Sequence, residues 1–480
     1  MAPAAAAAIV AGPAGVVAIA IAVAAAAAAV GAEHARTEPG GPYGPRAVGQ
    51  GMTGRAPSRA DPELTIDRDV RITRCANGLR VVTEVMPDAR SVAVGCWAGV
   101  GNRDEPPAIA GASHFLEHLL FKGTARRTAR DIAEAVDATG GEMNAYTTKE
   151  FTAYFLRLPA RHLGFAVDLL CDVVREPAFR AAEVESERQV ILEELHLQSD
   201  EPDDLVHTEL YDALFPDHPL GWEILGTEAT IEHMTPEAVR AFHADWYRPT
   251  NLVFAATGPL NHDAFVAEVR AAFDGDGAGT PPRRDAPTAP ASVARAVNRP
   301  GETAHLALGW RALAHEDPDR FALAVANQIV GGGMSSRLFQ EIRETRGLAY
   351  SVFSSVSSYC DTGVFSVYAG TMPARSAELL AVVDEELTGI VERGVTEQEL
   401  AVAKGAFEGS TIINLEDTGS RMARLATSMV LRDQVMPIDE YLASIDAVSV
   451  DDVRRVAARV FAGAPTIASV GPAAEDHLVS

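Results

Sequence analysis

His114, Glu117 and His118 stand together in the run His114-Phe115-Leu116-Glu117-His118. On a helix His118 falls about 40° and Glu117 about 60° from His114, so the three side chains share one face. Two neutral imidazoles one turn apart can hold a divalent ion, and a carboxylate beside them can take a proton from water at that ion. Taken alone, the run also fits two hydrogen-bonded histidines and a solvated glutamate. A third ligand has to come from elsewhere in the chain. The helical stretch from Arg180 to Gln198 offers Glu183, Glu185, Glu187, Glu193 and Glu194, and their phases separate them. Glu187 and Glu194 lie about 20° apart inside an apolar stripe of Val184, Val190, Ile191 and Leu195, whereas Glu185 and Glu193 point away from it. A carboxylate pressed into an apolar face requires a cation, so this pair calls for a metal or an arginine.

The elements that must carry these residues occur twice. Leu158-Pro159-Ala160-Arg161 returns 214 positions later as Met372-Pro373-Ala374-Arg375. Thr235 to Arg240 returns as Ser449 to Arg454 and Phe151 to Tyr154 as Phe365 to Tyr368, at the same spacing. The chain therefore reads as a duplicated unit. β-rich runs such as Ser91 to Ala98 and Ala304 to Trp310 alternate with helical patterns such as Arg180 to Gln198 and Pro373 to Arg393, which gives an α+β or α/β layered domain in each half. The expected domains are 66–270 and 300–474, joined by a Gly-, Pro- and Arg-rich linker over 271–299 and followed by a short tail over 475–480. At the 214 offset, His114 falls on Gln328, Glu117 on Gly331, His118 on Gly332 and Glu187 on Ala401; only Glu194 keeps its chemistry, as Glu408. A scaffold built without the two histidines in its second copy argues against a purely structural need for them in the first.

The 480 residues carry 41 Lys and Arg against 66 Asp and Glu, a formal net charge of −25 that repels phosphate backbones and excludes nucleic acid as a partner. Cys75, Cys96, Cys171 and Cys360 are widely spaced and form no CxxC pair, so they read as small buried hydrophobes. Residues 4–32 bear no charged side chain and are long enough to cross a bilayer, yet they are mostly Ala with Gly12, Pro13 and Gly15 interposed. They read as a signal, an anchor or a low-complexity extension, with Met52 opening a more ordinary start; residues 33–62 read as a disordered connector, so that 1–65 stands apart from the folded chain.

The sequence resembles the pitrilysin/insulinase-type inverzincin metallopeptidases, most closely the bacterial relatives of mitochondrial processing peptidase. The resemblance spans about residues 70 to 473. It rests on Gly101-Asn102-Arg103-Asp104-Glu105, Gly111 through Thr124, Gly141 through Thr147, Glu187 through Glu194 and Arg343 through Tyr350. It implies a zinc endopeptidase with one Zn²⁺ per chain, held by His114, His118 and Glu194, with Glu117 as the general base and Glu187 in support. It implies that Arg343 and Tyr350 act on the substrate near the metal, where a tetrahedral oxyanion needs donors, and that Asn144 and Ala145 belong to a strand that pairs with the peptide. Read from the residues alone, Arg343 is a charge on an Arg/Glu-rich helix, Tyr350 a strand aromatic and Asn144 the end of a plain strand. The implied fold is two homologous α/β sandwich domains with largely antiparallel sheets, forming half of a clamshell. The implied assembly is a homodimer in which each zinc site is completed by Arg343 and Tyr350 of the partner subunit, enclosing peptides or unfolded protein segments. The implied setting is bacterial and cytoplasmic, or secreted or membrane-anchored should 4–32 act as a signal or anchor. Readings from other classes are a non-catalytic scaffold or assembly subunit of this fold and a maturation factor for one dedicated peptide. Mn or Co also suits such ligands.

Overall fold

The computed structural model describes residues 63–478 apart from Arg68 and 289–292. Of the N-terminal segment expected over 1–65, residues 1–62 lie outside the described residues, whereas Glu63, Leu64 and Thr65 belong to a strand, so the boundary at 66 falls too late. Twelve strands are described: β1 (Glu63–Asp67), β2 (Val70–Arg74), β3 (Arg80–Val85), β4 (Ser91–Ala98), β5 (Glu142–Thr147), β6 (Thr152–Pro159), β7 (Leu252–Gly258), β8 (Ala294–Asn298), β9 (Ala304–Ala312), β10 (Ala349–Ser358), β11 (Gly363–Thr371) and β12 (Thr466–Gly471). The first sheet runs β1-β2-β3-β7-β4-β6-β5 and the second β8-β12-β9-β11-β10. In the first, β3 and β7 are parallel and every other neighbouring pair is antiparallel. In the second, β8 and β12 are the parallel pair. The second sheet thus repeats the order β3-β7-β4-β6-β5 of the first.

Strand register corrects the fixed 214 offset. Cys96 faces Tyr154, but Tyr368, 214 residues beyond Tyr154, faces Ala307, which is 211 beyond Cys96. The pairing of His114 and His118 with Gln328 and Gly332 therefore does not carry through the segment between β9 and β11. The helix that follows β9, Arg320–Val330, contains no histidine and stops at Gly331, and the Gly331-Gly332-Gly333 run forms the turn beyond it.

The 271–299 stretch is more ordered than a linker. It contains β8, whose Ala-Arg-Ala-Val-Asn sequence has a single β-branched residue and a largely exposed face, so an edge strand there leaves no periodic signal. Its Arg284 is tied to the first half through Asp104 at 2.8 Å.

One face of each sheet packs on helices of its own half. Leu116, Leu119, Leu170 and Val173 cover Val81, Val94 and Cys96, and Leu323, Leu379 and Val456 cover Leu308 and Val367. The other face is covered by a helix from the opposite half. Helix Thr418–Arg432 lays Met422, Leu425, Ala426 and Met429 on Ile72, Val82, Ala93, Trp97 and Val253 of the first sheet. Helix Pro202–Leu214 lays Val206, Leu210 and Leu214 on Ala307, Tyr368, Ala468 and Val470 of the second. A strand such as β4, buried along almost its whole length, is apolar on both faces because both are covered. Each large side chain buried in these seams contributes about 1.5–3 kcal/mol. Asp417 starts the first of these helices by accepting the Ser420 N–H at 2.8 Å, and Arg421 and Arg424 on its polar side meet the buried Glu84.

Candidate metal centre

His114, Glu117 and His118 lie on the nine-residue helix Ala112–Leu120, here called the motif helix. Its apolar residues Phe115, Leu116, Leu119 and Leu120 are buried in the core, which turns the three polar side chains to the opposite face. It starts at Gly111, whose φ of 95° favours glycine and where a Cβ would come within 2.6 Å of the Leu225 carbonyl oxygen. Against it lies helix Ala181–Asp200, which brings Glu187 and Glu194 to the motif helix. Glu187 is buried, Glu194 half-buried, and Glu185 and Glu193 exposed, as their phases require. Val190 departs from the expected stripe and is 42% exposed, and Leu197 on the same helix is 58% exposed, so the buried stripe is narrower than the phases of the apolar residues suggest.

His114, His118 and Glu194 converge: one ligand atom from each lies within 4.8 Å of the other two. Glu194 Oε2 is 3.7 Å from His114 Nε2 and 3.5 Å from His118 Nε2. Ligands about 2.1 Å from a tetrahedral zinc are separated by about 3.4 Å, close to the spacing of Glu194 from each imidazole. On the far side of the ring, His118 Nδ1 sits 3.2 Å from Glu187 Oε2, and Lys122 Nζ lies 2.8 Å from Glu187 Oε1. Burial would raise the Glu187 pKa, but hydrogen bonds from His118 and Lys122 bring it below the usual carboxylate value. An ionised Glu187 can only accept, so His118 Nδ1 carries a proton, which leaves the Nε2 lone pair for the trio when a metal is bound there. Without an ion, burial opposes a charge on His118, yet the neighbouring Glu187, Glu194 and Glu117 push it up to about 9. His114 moves the other way, well below its ordinary value, through burial and the repulsion of His118. Its Nδ1 is buried without a hydrogen-bond partner.

Glu117 accepts a hydrogen bond from Thr147 Oγ1 at 2.7 Å. Burial raises its pKa, with the Thr147 hydroxyl acting in the opposite direction. Thr147 ends β5, the edge strand of the first sheet, which also carries Asn144 and Ala145. Asn144 is exposed and its Oδ1 accepts the Ala145 N–H at 2.8 Å, occupying a donor that a paired strand would use.

Arg343 and Tyr350 meet each other. Arg343 lies in the π-helical turn Phe339–Thr345, and its guanidinium stacks 4.8 Å from the Phe339 ring and 4.9 Å from that of Tyr350. Tyr350 sits near the start of β10, the edge strand of the second sheet, and is 84% exposed. Among the described residues, no hydrogen bond, ion pair or ring contact joins either of them to His114, His118 or Glu194. Cys360 also departs from expectation. It is exposed, with Arg103 Nη1 3.4 Å from its sulfur, whereas Cys75, Cys96 and Cys171 are buried.

Sequence reasoning missed Lys122, Thr147 and Glu105. Lys122 is one helical turn beyond His118, a spacing that could have flagged it. Thr147 and Glu105 reach the motif helix from a strand end and a loop, and no periodicity marks such contacts.

A two-sheet scaffold with a 2-His-1-Glu cluster, the two histidines in HxxEH order, defines a metallopeptidase-like class. The chain matches the profile described as Insulinase (Peptidase family M16) over residues 80–228 and that described as Peptidase M16 inactive domain over residues 233–407. A Streptomyces coelicolor protein named an uncharacterised zinc protease is 44% identical over 84% of this chain and 90% of its own. The Bacillus subtilis uncharacterised zinc protease YmxG is 37% identical over 83% of this chain and 97% of its own. Among solved structures, a peptidase M16 inactive domain from Pseudomonas fluorescens aligns with a TM-score of 0.79 at 24% identity, covering 84% of this chain and 98% of that one. A protease from Helicobacter pylori aligns at 0.77 and 24%, covering 85% and 99%. The chain belongs to the M16 insulinase family of peptidases. Among the described residues no helix is long and apolar enough to cross a membrane.

Proposed function

We propose that the protein is a zinc-dependent endopeptidase in which His114, His118 and Glu194 hold the metal and Glu117 is the general base. The observation that carries this reading is the convergence of two imidazole nitrogens and one carboxylate oxygen at tetrahedral spacing, with a buried carboxylate next to them. When bound there, zinc supplies a Lewis acid that polarises a carbonyl and makes water more acidic. Glu117, held by Thr147, takes the proton of the attacking water and hands it to the leaving amine. Glu187 and Lys122 fix the His118 ring. An extended peptide adds to the free edge of β5, where Asn144 Oδ1 gives way to the incoming strand.

Arg343 and Tyr350 serve the site of a second copy in a homodimer, an arrangement supported by the exposure of Tyr350 and by the lack, among the described residues, of a hydrogen bond, ion pair or ring contact from either to its own trio. The net charge of −25 favours basic peptides, and the bacterial relatives suit a bacterial protein.

The test is digestion of a mixed peptide library read by mass spectrometry, with metal assayed in each sample. Wild type is expected to carry about one zinc per chain and cut, Glu117→Gln to keep zinc without cutting, and a chelated sample to do neither. Zinc without cleavage points to a scaffold or to one dedicated peptide, and absence of zinc overturns the ligand assignment. For the dimer, mixing Glu117→Gln with a Tyr350→Phe, Arg343→Ala double variant should restore activity that neither shows alone. No recovery on mixing overturns the shared site.

A further inference from the structure

Two segments frame the trio, and one buried ion cluster that reaches the second half of the chain grips them both. The first segment is the motif helix, which has no side-chain cap at Gly111. Instead the two oxygens of the buried Glu105 accept the backbone N–H groups of Gly111 and Ser113, each at 2.6 Å. A carboxylate there satisfies two donors that a helix start leaves orphaned, and it does so immediately before His114. The second segment is the turn between β5 and β6. Thr147 at its start holds Glu117, and Glu150 within it is 3% exposed. Glu150 is met by Arg103 at 2.7 Å, His315 at 3.4 Å and Arg284 at 3.6 Å.

Arg103, Asp104 and Glu105 are consecutive and act in three directions. Arg103 grips the turn, Asp104 pairs with Arg284 at 2.8 Å, and Glu105 caps the motif helix. The backbone reinforces this, since the Asn102 and Arg103 N–H groups donate to the Thr148 and Lys149 carbonyls. The far wall comes from the second half. Asp361 Oδ2 lies 2.5 Å from Arg103 Nη2, and the Cys360 N–H donates to both Glu150 oxygens at 3.2 Å.

An apolar seam would hold two halves together at least as well as buried charges do, but it would not fix direction. We propose that Glu105 and Glu150 are positioning residues that set Glu117 against the metal ligands, and that the second half of the chain, through Asp361 and His315, keeps them in register. The inference rests on the zinc-peptidase reading for its chemistry, although its structural core is independent of it. The seam between the halves is then part of the catalytic machinery rather than only a joint.

Asp361 is the residue to change, because its side chain is 21% exposed and it lies in the opposite half from the metal trio. Wild type, Asp361→Ala, Asp361→Glu and His315→Ala are compared by zinc affinity in chelator competition, by kcat and KM on one peptide, and by hydrogen exchange of the 111–118 amides in metal-free protein. Asp361→Ala is expected to weaken zinc binding and lower kcat about tenfold each while KM stays unchanged, and to speed exchange at the start of the motif helix. Asp361→Glu should recover much of this, and His315→Ala should act in the same direction as Asp361→Ala. A lower Tm in both alanine variants with wild-type exchange, zinc affinity and kcat would overturn the proposal. The exchange arm needs neither metal nor substrate, so wild type that binds no zinc would count against the peptidase reading while exchange still decides the coupling.

Discussion

The two halves of the molecule share five strands in one order, with one parallel pair at the same place, yet among the described residues only one of them converges on a metal trio. In the first half the helix after β4 carries His114, Glu117 and His118; in the second the helix after β9 reads Arg-Phe-Ala-Leu-Ala-Val-Ala-Asn-Gln-Ile-Val and ends at a glycine run. Glu194 faces two imidazoles, whereas Glu408 on the matching helix is exposed. The pair of halves separates what the architecture needs from what the chemistry needs. Sheet order, the short turn after β6 and β11, and the covering helices recur, while the histidines, Glu187 and Lys122 do not.

The contrast is broken most directly by moving ligands. His118→Ala is expected to abolish stoichiometric zinc and with it cleavage, while Gln328→Ala leaves zinc content unchanged; metal analysis after dialysis reads both. Loss of zinc in both would mean that the second half also serves the metal.

A smaller effect tests what the halves have in common. Leu425→Ala and Leu210→Ala each remove a fully buried side chain from an exchanged helix and should cost about 2–5 kcal/mol in denaturant unfolding. Both should shift one shared transition, and two separated transitions would show that each half is stable alone.

Acid sharpens the role of the seam. Against the desolvation that would raise it, His315, Arg284 and the Cys360 N–H hold Glu150 down to about 2. A carboxylate depressed in the folded state stabilises above its unfolded pKa, near 4.5, and that contribution fades as pH falls toward 2. Its size is about 3 kcal/mol. Stability measured against pH should therefore fall over that window in wild type and much less in Glu150→Gln.

The smallest effect concerns the ring support found only in the first half. Glu187→Gln keeps the shape but removes the charge facing His118 and Lys122, and zinc affinity should drop about 10- to 100-fold in chelator competition. An unchanged affinity would make Glu187 a partner of Lys122 alone.

Much of this was legible in the residues. The phase of Glu187 and Glu194 against Val184 and Ile191 survives in three dimensions, because a long helix against a core obeys its period. β4 occupies the stretch read as a strand. Contacts made by single side chains across long sequence distances were not legible. Glu105 on the motif helix, Thr147 on Glu117 and Asp361 on Arg103 leave no periodic trace. β8 escaped notice because an exposed edge strand needs no alternation, and the register shift at β9 escaped because the short repeats that keep the 214 spacing all lie C-terminal to it. The exchange of covering helices was hidden as well, since an amphipathic helix does not say which sheet it will meet.

That exchange has a consequence for biosynthesis. The first sheet is complete once β7 leaves the ribosome, but Ile72, Val82, Trp97 and Val253 stay bare until residues 418–432 follow. At about 5–20 residues per second the nascent chain waits on the order of ten seconds or more with an apolar sheet face uncovered. During translation, this half-built protein therefore presents a flat apolar surface that the finished fold covers.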